Sequence, residues 1–252
     1  MVSAPAVAVI SGAASGIGRA TAARLAARGD HVVLLDLDAS KLEATAGSIR
    51  EAGGRVESWQ LDVRDRPAIE RACAGVVEKL GAITYVFSNA GITGRRPVSA
   101  MALSEWNAML DTHLTGSFHL CQVALAQMVR QKRGAVVLTS SDYAVAGMRG
   151  QAHYAAAKTA LYSLTKALAL EFAPHGIRIN AVGPGPIDTP LLRGGRTPAE
   201  WEDRLRVLHA GVPMGRLGRP EEVASVVEFL LSNRAAYITG QLVQPNGGQV
   251  MW

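Results

Sequence analysis

Apolar residues along the chain gather into short continuous runs separated by longer segments of mixed character. The β-rich runs are "AVAVIS" (6–11), "HVVLLD" (31–36), "RVESWQLD" (55–62), "ITYVFS" (83–88), "GAVVLTS" (134–140), "IRINAVG" (177–183) and "QLVQP" (241–245). Unbroken apolar runs of this length suit strands buried on both faces. Between them lie Ala- and Leu-rich segments with helical spacing. Strands alternating with helices predict a parallel sheet, and right-handed crossovers place helices on both of its faces. The expected fold class is α/β: a single-domain, Rossmann-type, doubly wound parallel sheet of about seven strands with helices on both faces, spanning 1–252.

One region breaks the alternation. Residues 184–219 are rich in Gly, Pro and Arg. A helix is predicted within it over 198–209, capped by Thr197 and opened by Pro198. A long insertion at the C-terminal edge of a parallel sheet is commonly functional, so 186–216 is expected to be a substrate loop.

Composition narrows the class of protein. A 48% hydrophobic chain of 252 residues supplies a sizeable core. No apolar run is long enough to span a bilayer, and "MVSAPAVAVI" has no basic segment of the kind that opens a secretory signal, so a soluble cytoplasmic protein is expected. Cys73 and Cys121, 48 residues apart, fit no metal motif and read as small buried hydrophobes. The net charge is +5, with arginines scattered rather than massed with aromatics, which argues against a nucleic-acid partner. The one local cluster is Arg193, Arg196, Arg204 and Arg206.

The first strand runs into "SGAASGIGRATAARLA", with Gly12, Gly16 and Gly18 at a strand-to-helix turn. Glycines there let backbone approach a pyrophosphate, and the helix N-terminus offers free N–H groups and a positive dipole end. Asp36 ends the second strand, eighteen residues past Gly18. A carboxylate at that place accepts both hydroxyls of an adenosine ribose and repels a 2′-phosphate. One unit-charge pair at ~5 Å and an effective dielectric of ~20 costs about 3 kcal/mol. No Arg or Lys flanks Asp36 in sequence, and Ser15 rather than a basic residue precedes Gly16. NAD is therefore the expected cofactor, preferred over NADP.

The fifth strand runs into "TSSDYAVAGMRGQAHYAAAKTAL". Tyr154 and Lys158 are four residues apart on a predicted helix and so share a face. Ser141 precedes Tyr154 by thirteen residues at a strand exit, where a doubly wound sheet places its ligand crevice.

Over essentially its whole length the sequence resembles the short-chain dehydrogenase/reductase family. "SGAASGIG" is similar to the family's cofactor turn, which implies contacts from Gly12, Ser15, Gly16, Ile17 and Gly18. "LDV" (61–63) resembles the adenine-contacting segment, here Asp62 and Val63. "SNAG" (88–91) resembles the family's "NNAG" and implies Asn89, Ala90 and Gly91 at the cofactor, with Ser88 in place of the first Asn. Ser141, Tyr154 and Lys158 match the catalytic Ser and Tyr-x-x-x-Lys. "GPGPIDTP" (183–190) resembles "PG-x-x-x-T", placing Pro184, Gly185 and Ile187 at the cofactor and Thr189 at the nicotinamide carboxamide. "GRPEEVA" and "YITGQLVQPNGG" are similar to the C-terminal segment, with Asn246 where Asp is usual.

The resemblance implies hydride transfer with Tyr154 as general acid/base, Ser141 holding the substrate oxygen, and Lys158 also binding the nicotinamide ribose. An ammonium at ~5 Å is expected to stabilise the Tyr154 phenolate by about 3 kcal/mol, or roughly 2 pKa units.

In "MLDTHLTGSF" (109–118), His113 stands where the family has the Asn of a catalytic tetrad, which organises a water relaying protons to the Lys. A metal site is disfavoured: His119, six residues on, projects from another side of the helix. A direct base is unneeded beside Tyr154. The favoured reading is a buried polar side chain in place of the Asn, able to donate and accept. A His113 that titrates within the relay would add an ionisation near pH 6–7.

Pocket candidates by family position are Asp142, Tyr143, Met148, Arg149, Pro186 and the 190–214 loop. Arg95, Arg149 and Arg193 are candidates for meeting a substrate carboxylate. The expected activity is NAD-dependent interconversion of a small secondary alcohol and its ketone. The rivals are an NADPH-dependent 3-oxoacyl-thioester reductase and a non-catalytic NAD-sensing protein. The resemblance also implies a homotetramer or homodimer.

Overall fold

A computed structural model describes residues 5–251. The outermost residues of the expected 1–252 unit, 1–4 and 252, lie outside the described residues. Each of the seven expected runs carries a strand. The chain runs β1 (Val7–Ser11), α1 (Gly16–Ala27), β2 (His31–Asp36), α2 (Ala39–Glu51), β3 (Arg55–Gln60), α3 (Arg66–Leu80) and β4 (Tyr85–Ser88). It continues through α4 (Leu103–Leu110), α5 (Gly116–Gln131), β5 (Gly134–Thr139), the short α6 (Tyr143–Ala146), α7 (Ala152–Phe172) and β6 (Ile177–Val182). Then follow α8 (Pro190–Arg193), α9 (Pro198–Gly211), α10 (Pro220–Leu231) and the two-residue β7 (Leu242–Val243).

All strands pair in parallel, in the order β3-β2-β1-β4-β5-β6-β7. The five central strands are buried on both sides, as their unbroken apolar runs require, whereas the edge strands β3 and β7 are only partly buried. Along β1, Val7 and Val9 join one core cluster with Leu120 and Leu161, while Ala8 and Ile10 join the other with Leu25 and Val227. Winding reverses between β1 and β4, which opens a crevice at the C-terminal ends of the strands.

The turn between β1 and α1 is set by close approach. Gly12 has a φ of 65°, a left-handed conformation that favours glycine. Gly18 lies inside the first turns of α1, and a Cβ there would sit 2.0 Å from the Gly12 carbonyl oxygen. Its hydrogen is what lets helix and turn touch.

The irregular region is more helical than expected. Thr197 and Glu200 form a capping box, and α9 starts at Pro198 as predicted. An unexpected helical turn, α8, precedes it, because Thr189 Oγ1 accepts the Leu192 N–H at 3.2 Å with Pro190 at the first position.

Replacing Gly18 with Ala forces the new Cβ against the Gly12 backbone. The expected cost is about 1–3 kcal/mol of stability together with weakened dinucleotide binding. Denaturation midpoints and cofactor titrations unchanged from wild type would contradict this account of the turn.

Candidate active site

The strand ends surround a cavity of about 1010 Å³. Asp36 leaves β2 on one side of it and Ser141 follows β5 on the other. Three inter-strand spacings, about 14 Å, separate those strands, a span suited to an extended dinucleotide.

On the β2 side the Asp36 carboxylate is held by two backbone amides, Ala14 N–H on Oδ2 and Asp38 N–H on Oδ1, each at 3.0 Å. Both bonds fix its position at the cavity wall. Lys41 of α2 feels the Asp36 charge, although no base flanks Asp36 in sequence. Its ammonium is taken by Asp38 Oδ2 at 2.6 Å and it does not line the cavity. Asp62 receives the Arg64 guanidinium at 2.6 Å, which holds its carboxyl below the usual range.

The N-terminus of α1 stands apart from its neighbours. Asp38, Asp65 and Thr197 cap α2, α3 and α9 with their side chains, whereas Ser15 makes no cap bond to α1 and the first turn has no acid. Its free N–H groups, facing the cavity beside Gly12 and Gly16, fit a pyrophosphate. The other expected cofactor positions Ile17, Val63, Ala90, Gly91, Pro184, Gly185, Ile187 and Thr189 also line the cavity. Gly18 does not, since it packs behind the turn. The Thr189 hydroxyl is engaged locally, donating to the Ile187 carbonyl at 3.3 Å and capping α8.

A connected polar seam joins the two sides. The buried Ser11 Oγ accepts the amides of Asn89 (3.0 Å) and Ala90 (3.2 Å). Asn89 Nδ2 donates to the Gly12 carbonyl at 3.3 Å, and Thr139 Oγ1 donates to Asn89 Oδ1 at 3.3 Å. Lys158 Nζ then donates to the Thr139 carbonyl at 2.6 Å. Ser11 was not anticipated as a site residue. Its only trace in the sequence is a hydroxyl ending an otherwise apolar strand.

Ser141, Tyr154 and Lys158 meet at the β5 end of the cavity. Ser141 Oγ accepts the Tyr143 N–H at 3.2 Å, donates to Asp142 Oδ1 at 3.1 Å, and is hydrogen bonded to the Tyr154 hydroxyl. Lys158 Nζ lies 5.6 Å from the Tyr154 ring centroid. The expected lowering of the Tyr154 pKa by Lys158 is not found. Burial dominates and pushes the phenol up to about 12, although the Ser141 hydrogen bond pulls the other way and Asp142 adds to the rise. Burial also pulls Lys158 down to about 7, so the ammonium that was to stabilise the phenolate is itself disfavoured. Burial likewise raises Asp142 to about 6, against the opposing pull of its Ser141 hydrogen bond, and its Oδ2 is buried with no partner.

His113 lies where helix α4 passes into α5 through a π-turn, Asp111–Thr115. Such turns often mark functional positions. Its ring stands edge-on to Tyr154 with centroids 5.4 Å apart. Nε2 is 2.8 Å from the Ile92 carbonyl oxygen and 3.1 Å from the Ile92 nitrogen, so either neutral tautomer clasps that backbone. A Cβ at Gly91 would fall 2.3 Å from Cε1, so glycine is what admits the ring. Burial, then the Lys158 charge, lower the His113 pKa well below its ordinary value. His119 Nδ1 points instead toward the Val63 carbonyl at 3.4 Å.

Of the expected substrate residues, Asp142, Tyr143, Met148, Pro186 and Arg95 line the cavity. Arg149 and Arg193 do not. Arg149 is exposed on the loop before α7. Arg193 is held by a two-pronged pair with Asp188, both bonds 2.9 Å, and lies over the Trp201 ring. In their place, Arg196 and Arg204 of the cluster noted in the sequence reach the wall, together with Thr93 and Gln151.

Parallel strands wound in this order, a glycine-rich turn at an uncapped helix, and Ser141, Tyr154 and Lys158 in one cavity define a nicotinamide-dependent oxidoreductase fold and site. The chain belongs to the short-chain dehydrogenase/reductase family. A family model described as enoyl-(acyl carrier protein) reductase matches residues 12–249. The chain is 37% identical to the 3-oxoacyl-[acyl-carrier-protein] reductase FabG of Thermotoga maritima over 245 residues, covering 97% of this chain and 98% of that protein. It is 36% identical over 250 residues to the short-chain reductase protein NovJ of Streptomyces niveus, covering 98% and 95%. Among solved structures it resembles levodione reductase (TM-score 0.91, 35% identity, 97% of each chain) and NAD+-bound xylitol dehydrogenase (TM-score 0.88, 32% identity, 96% of this chain and 98% of that one). Among the described residues no helix is long and apolar enough to cross a membrane.

A histidine lowered well below 6.5 stays neutral through the physiological range and adds no ionisation near pH 6–7. The pH profiles of kcat/KM for wild type and His113→Asn are therefore expected to superimpose between pH 6 and 8. An inflection in that window that the substitution removes would show a titrating imidazole instead.

Proposed function

We propose that the protein interconverts a small secondary alcohol and its ketone, with NAD as the preferred partner in hydride transfer. The observation that carries this reading is one cavity with an anchored Asp36 at the β2 end and Ser141, Tyr154 and Lys158 together at the β5 end. The residues around Gly12, Gly16 and the uncapped α1 would hold the pyrophosphate, Asp36 the adenosine ribose, Asp62 and Val63 the adenine, and Lys158 the nicotinamide ribose. When bound, the nicotinamide accepts or returns the hydride.

The chain's own residues manage the proton. In oxidation Tyr154 takes the alcohol proton at its hydroxyl oxygen, and in reduction it returns one to the carbonyl oxygen. Ser141 holds that oxygen. Before substrate binds, Ser141 donates to Asp142 and accepts from the Tyr143 amide; to hold a substrate oxygen it would turn its hydroxyl from Asp142 to that oxygen. His113 acts as the missing Asn would, bracing Ile92 beside Tyr154 and leaving the relay to water. A phenol raised to about 12 is almost wholly protonated before the cofactor binds and so cannot take the alcohol proton, and a positive charge on the bound nicotinamide would favour the phenolate that can.

A second reading, reduction of 3-oxoacyl thioesters, is favoured by the 36–37% identity to proteins named 3-oxoacyl-[acyl-carrier-protein] reductase. Asp36 bears on the cofactor half of that choice. The thiols Cys73 and Cys121 are buried, and burial raises both to about 12, which leaves them unreactive. Exposed Phe118 on α5 and Leu170 on α7 support assembly as a homotetramer or homodimer through those helices.

Absorbance at 340 nm with NAD or NADP and a panel of secondary alcohols and acyl thioesters tests the reading directly. Tyr154→Phe is expected to lower kcat by about 10²–10⁴-fold while the protein still binds NADH; turnover near wild type would refute the assigned base. Asp36→Ala is expected to raise the NADP:NAD ratio of kcat/KM by about 100-fold, the equivalent of about 3 kcal/mol. A wild-type enzyme already favouring NADP would overturn the role given to Asp36.

A further inference from the structure

We infer that the outer wall of the substrate cavity is an anion subsite built by Arg95, Arg196 and Arg204, and that the alcohol or ketone carries a carboxylate at the end remote from its reacting carbon. This rests on the dehydrogenase reading above and adds the substrate class to it.

Arginines near this wall fall into two groups. Arg96 pairs with Glu105 at 3.1 Å, Arg193 with Asp188 at 2.9 Å, and Arg206 with Asp203. Arg95, Arg196 and Arg204 line the cavity. Among the described residues, none of these three has a carboxylate within salt-bridge distance. The acid that shares the wall, Glu200, spends its Oε2 on the Thr197 amide (2.8 Å) and hydroxyl (2.9 Å) at the start of α9.

The three cations come from separate segments, and two of them, Arg95 and Arg196, are braced. Arg95 donates to Met148 Sδ at 3.5 Å, and its loop is tied down by Arg96 N–H to the Gly150 carbonyl (2.7 Å) and by Gln151 to Thr93 and Gly94. Arg196 donates to the carbonyls of Leu192 and Arg193 at the end of α8. Arg204 projects from α9 and is partly buried. Burial, then the Arg95 charge, hold Arg204 below its usual range, with Arg196 adding to the effect and Tyr143 opposing it, so the cluster carries like-charge repulsion that an anion would offset.

Tyr143 connects this wall to the chemistry. Its amide binds Ser141 Oγ, and its phenol feels Asp142 on one side and Arg204 and Arg95 on the other. An anion held by that wall therefore shares the cavity with the reacting oxygen, with Tyr143 in electrostatic reach of both ends. Asp142, buried beside that oxygen, disfavours a carboxylate at the reacting end itself.

The test uses paired ligands. Calorimetry on the NADH-saturated protein compares succinate and glutarate with their dimethyl esters. Turnover compares 3-hydroxybutyrate and 4-hydroxypentanoate with their methyl esters. The acids are expected to exceed the esters at least tenfold in affinity and in kcat/KM. Arg204→Gln and Arg95→Gln are expected to reduce that ratio to near one, with NADH affinity as the control for folding, and Arg204→Lys to restore part of it. Equal binding of acids and esters, or a preference that survives both substitutions, overturns the subsite. Arginine-dependent acid binding without turnover of any hydroxy acid upholds the subsite and overturns the dehydrogenase reading. Turnover of esters as fast as acids does the reverse. A further pair, 3-hydroxybutyryl N-acetylcysteamine and 3-hydroxybutyryl phosphopantetheine, differs by the phosphate. Arginine dependence confined to that pair overturns the carboxylate assignment in favour of a carried phosphate.

Discussion

The site depends on how the open edge of the sheet satisfies its own backbone. Where strands stop pairing, N–H and carbonyl groups must find other partners, and an unpaired buried group costs about 1–3 kcal/mol. Ser11 meets this at the centre, its Oγ taking the amides of Asn89 and Ala90 just past β4. Asn89 returns a bond to Gly12 and receives one from Thr139, and Thr139 offers its carbonyl to Lys158. One seam of hydrogen bonds thus ties the glycine turn to the strand that precedes Ser141. The cofactor end and the chemical end are placed by the same bonds, so moving one disturbs the other.

Burial sets the protonation states along that seam more strongly than charge does. The Tyr154 phenol, the Lys158 ammonium and the Asp142 carboxyl are all driven toward their neutral forms, and in each case desolvation is the largest cause. At neutral pH the Tyr154 phenol is then neutral, Lys158 is about half protonated and Asp142 is mostly ionised. A bound positive ring would shift all three toward their anionic or neutral forms, because a charge in a partly desolvated cavity is less screened than in water. His113 follows the same rule. Buried against Gly91 and facing Lys158, it serves as a neutral clasp on Ile92, which needs hydrogen-bonding capacity and no proton exchange.

The strands, the glycine turn and the Ser141–Tyr154–Lys158 constellation were legible in the sequence because each rests on local order. Unbroken apolar runs specify two-sided burial, and four-residue spacing puts Tyr154 and Lys158 on one face. What was illegible depended on contacts between distant segments. Ser11 looks like any strand-end serine until Asn89 is brought beside it. Arg193 and Arg204 belong to one run of basic residues, yet Asp188 and Trp201 claim the first and leave the second to the cavity. The lowering of Tyr154 by Lys158 failed for a related reason. Spacing conveys their proximity, whereas the desolvation that outweighs it comes from the whole surrounding fold.

These features together give the substrate cavity a direction. Its floor holds Asp142, one hydrogen bond from Ser141, and its outer wall holds three cationic side chains and one acid, Glu200, which is committed to the Thr197 cap and feels the Arg196 charge. A neutral alcohol would feel little of this arrangement and could enter either way round. A hydroxy acid would not. With its carboxylate drawn to Arg95 and Arg204 and kept from Asp142, the carbinol end alone can reach Ser141 and Tyr154. The remote charge then limits how the carbon can turn beneath Tyr154, and so which of its faces meets the hydride. Binding energy gained far from the reacting atoms is thereby converted into orientation at them. This use of the wall fits the way Arg95 is held by a thioether and Arg196 by carbonyls, whereas Arg96, Arg193 and Arg206 beside them are paired with acids.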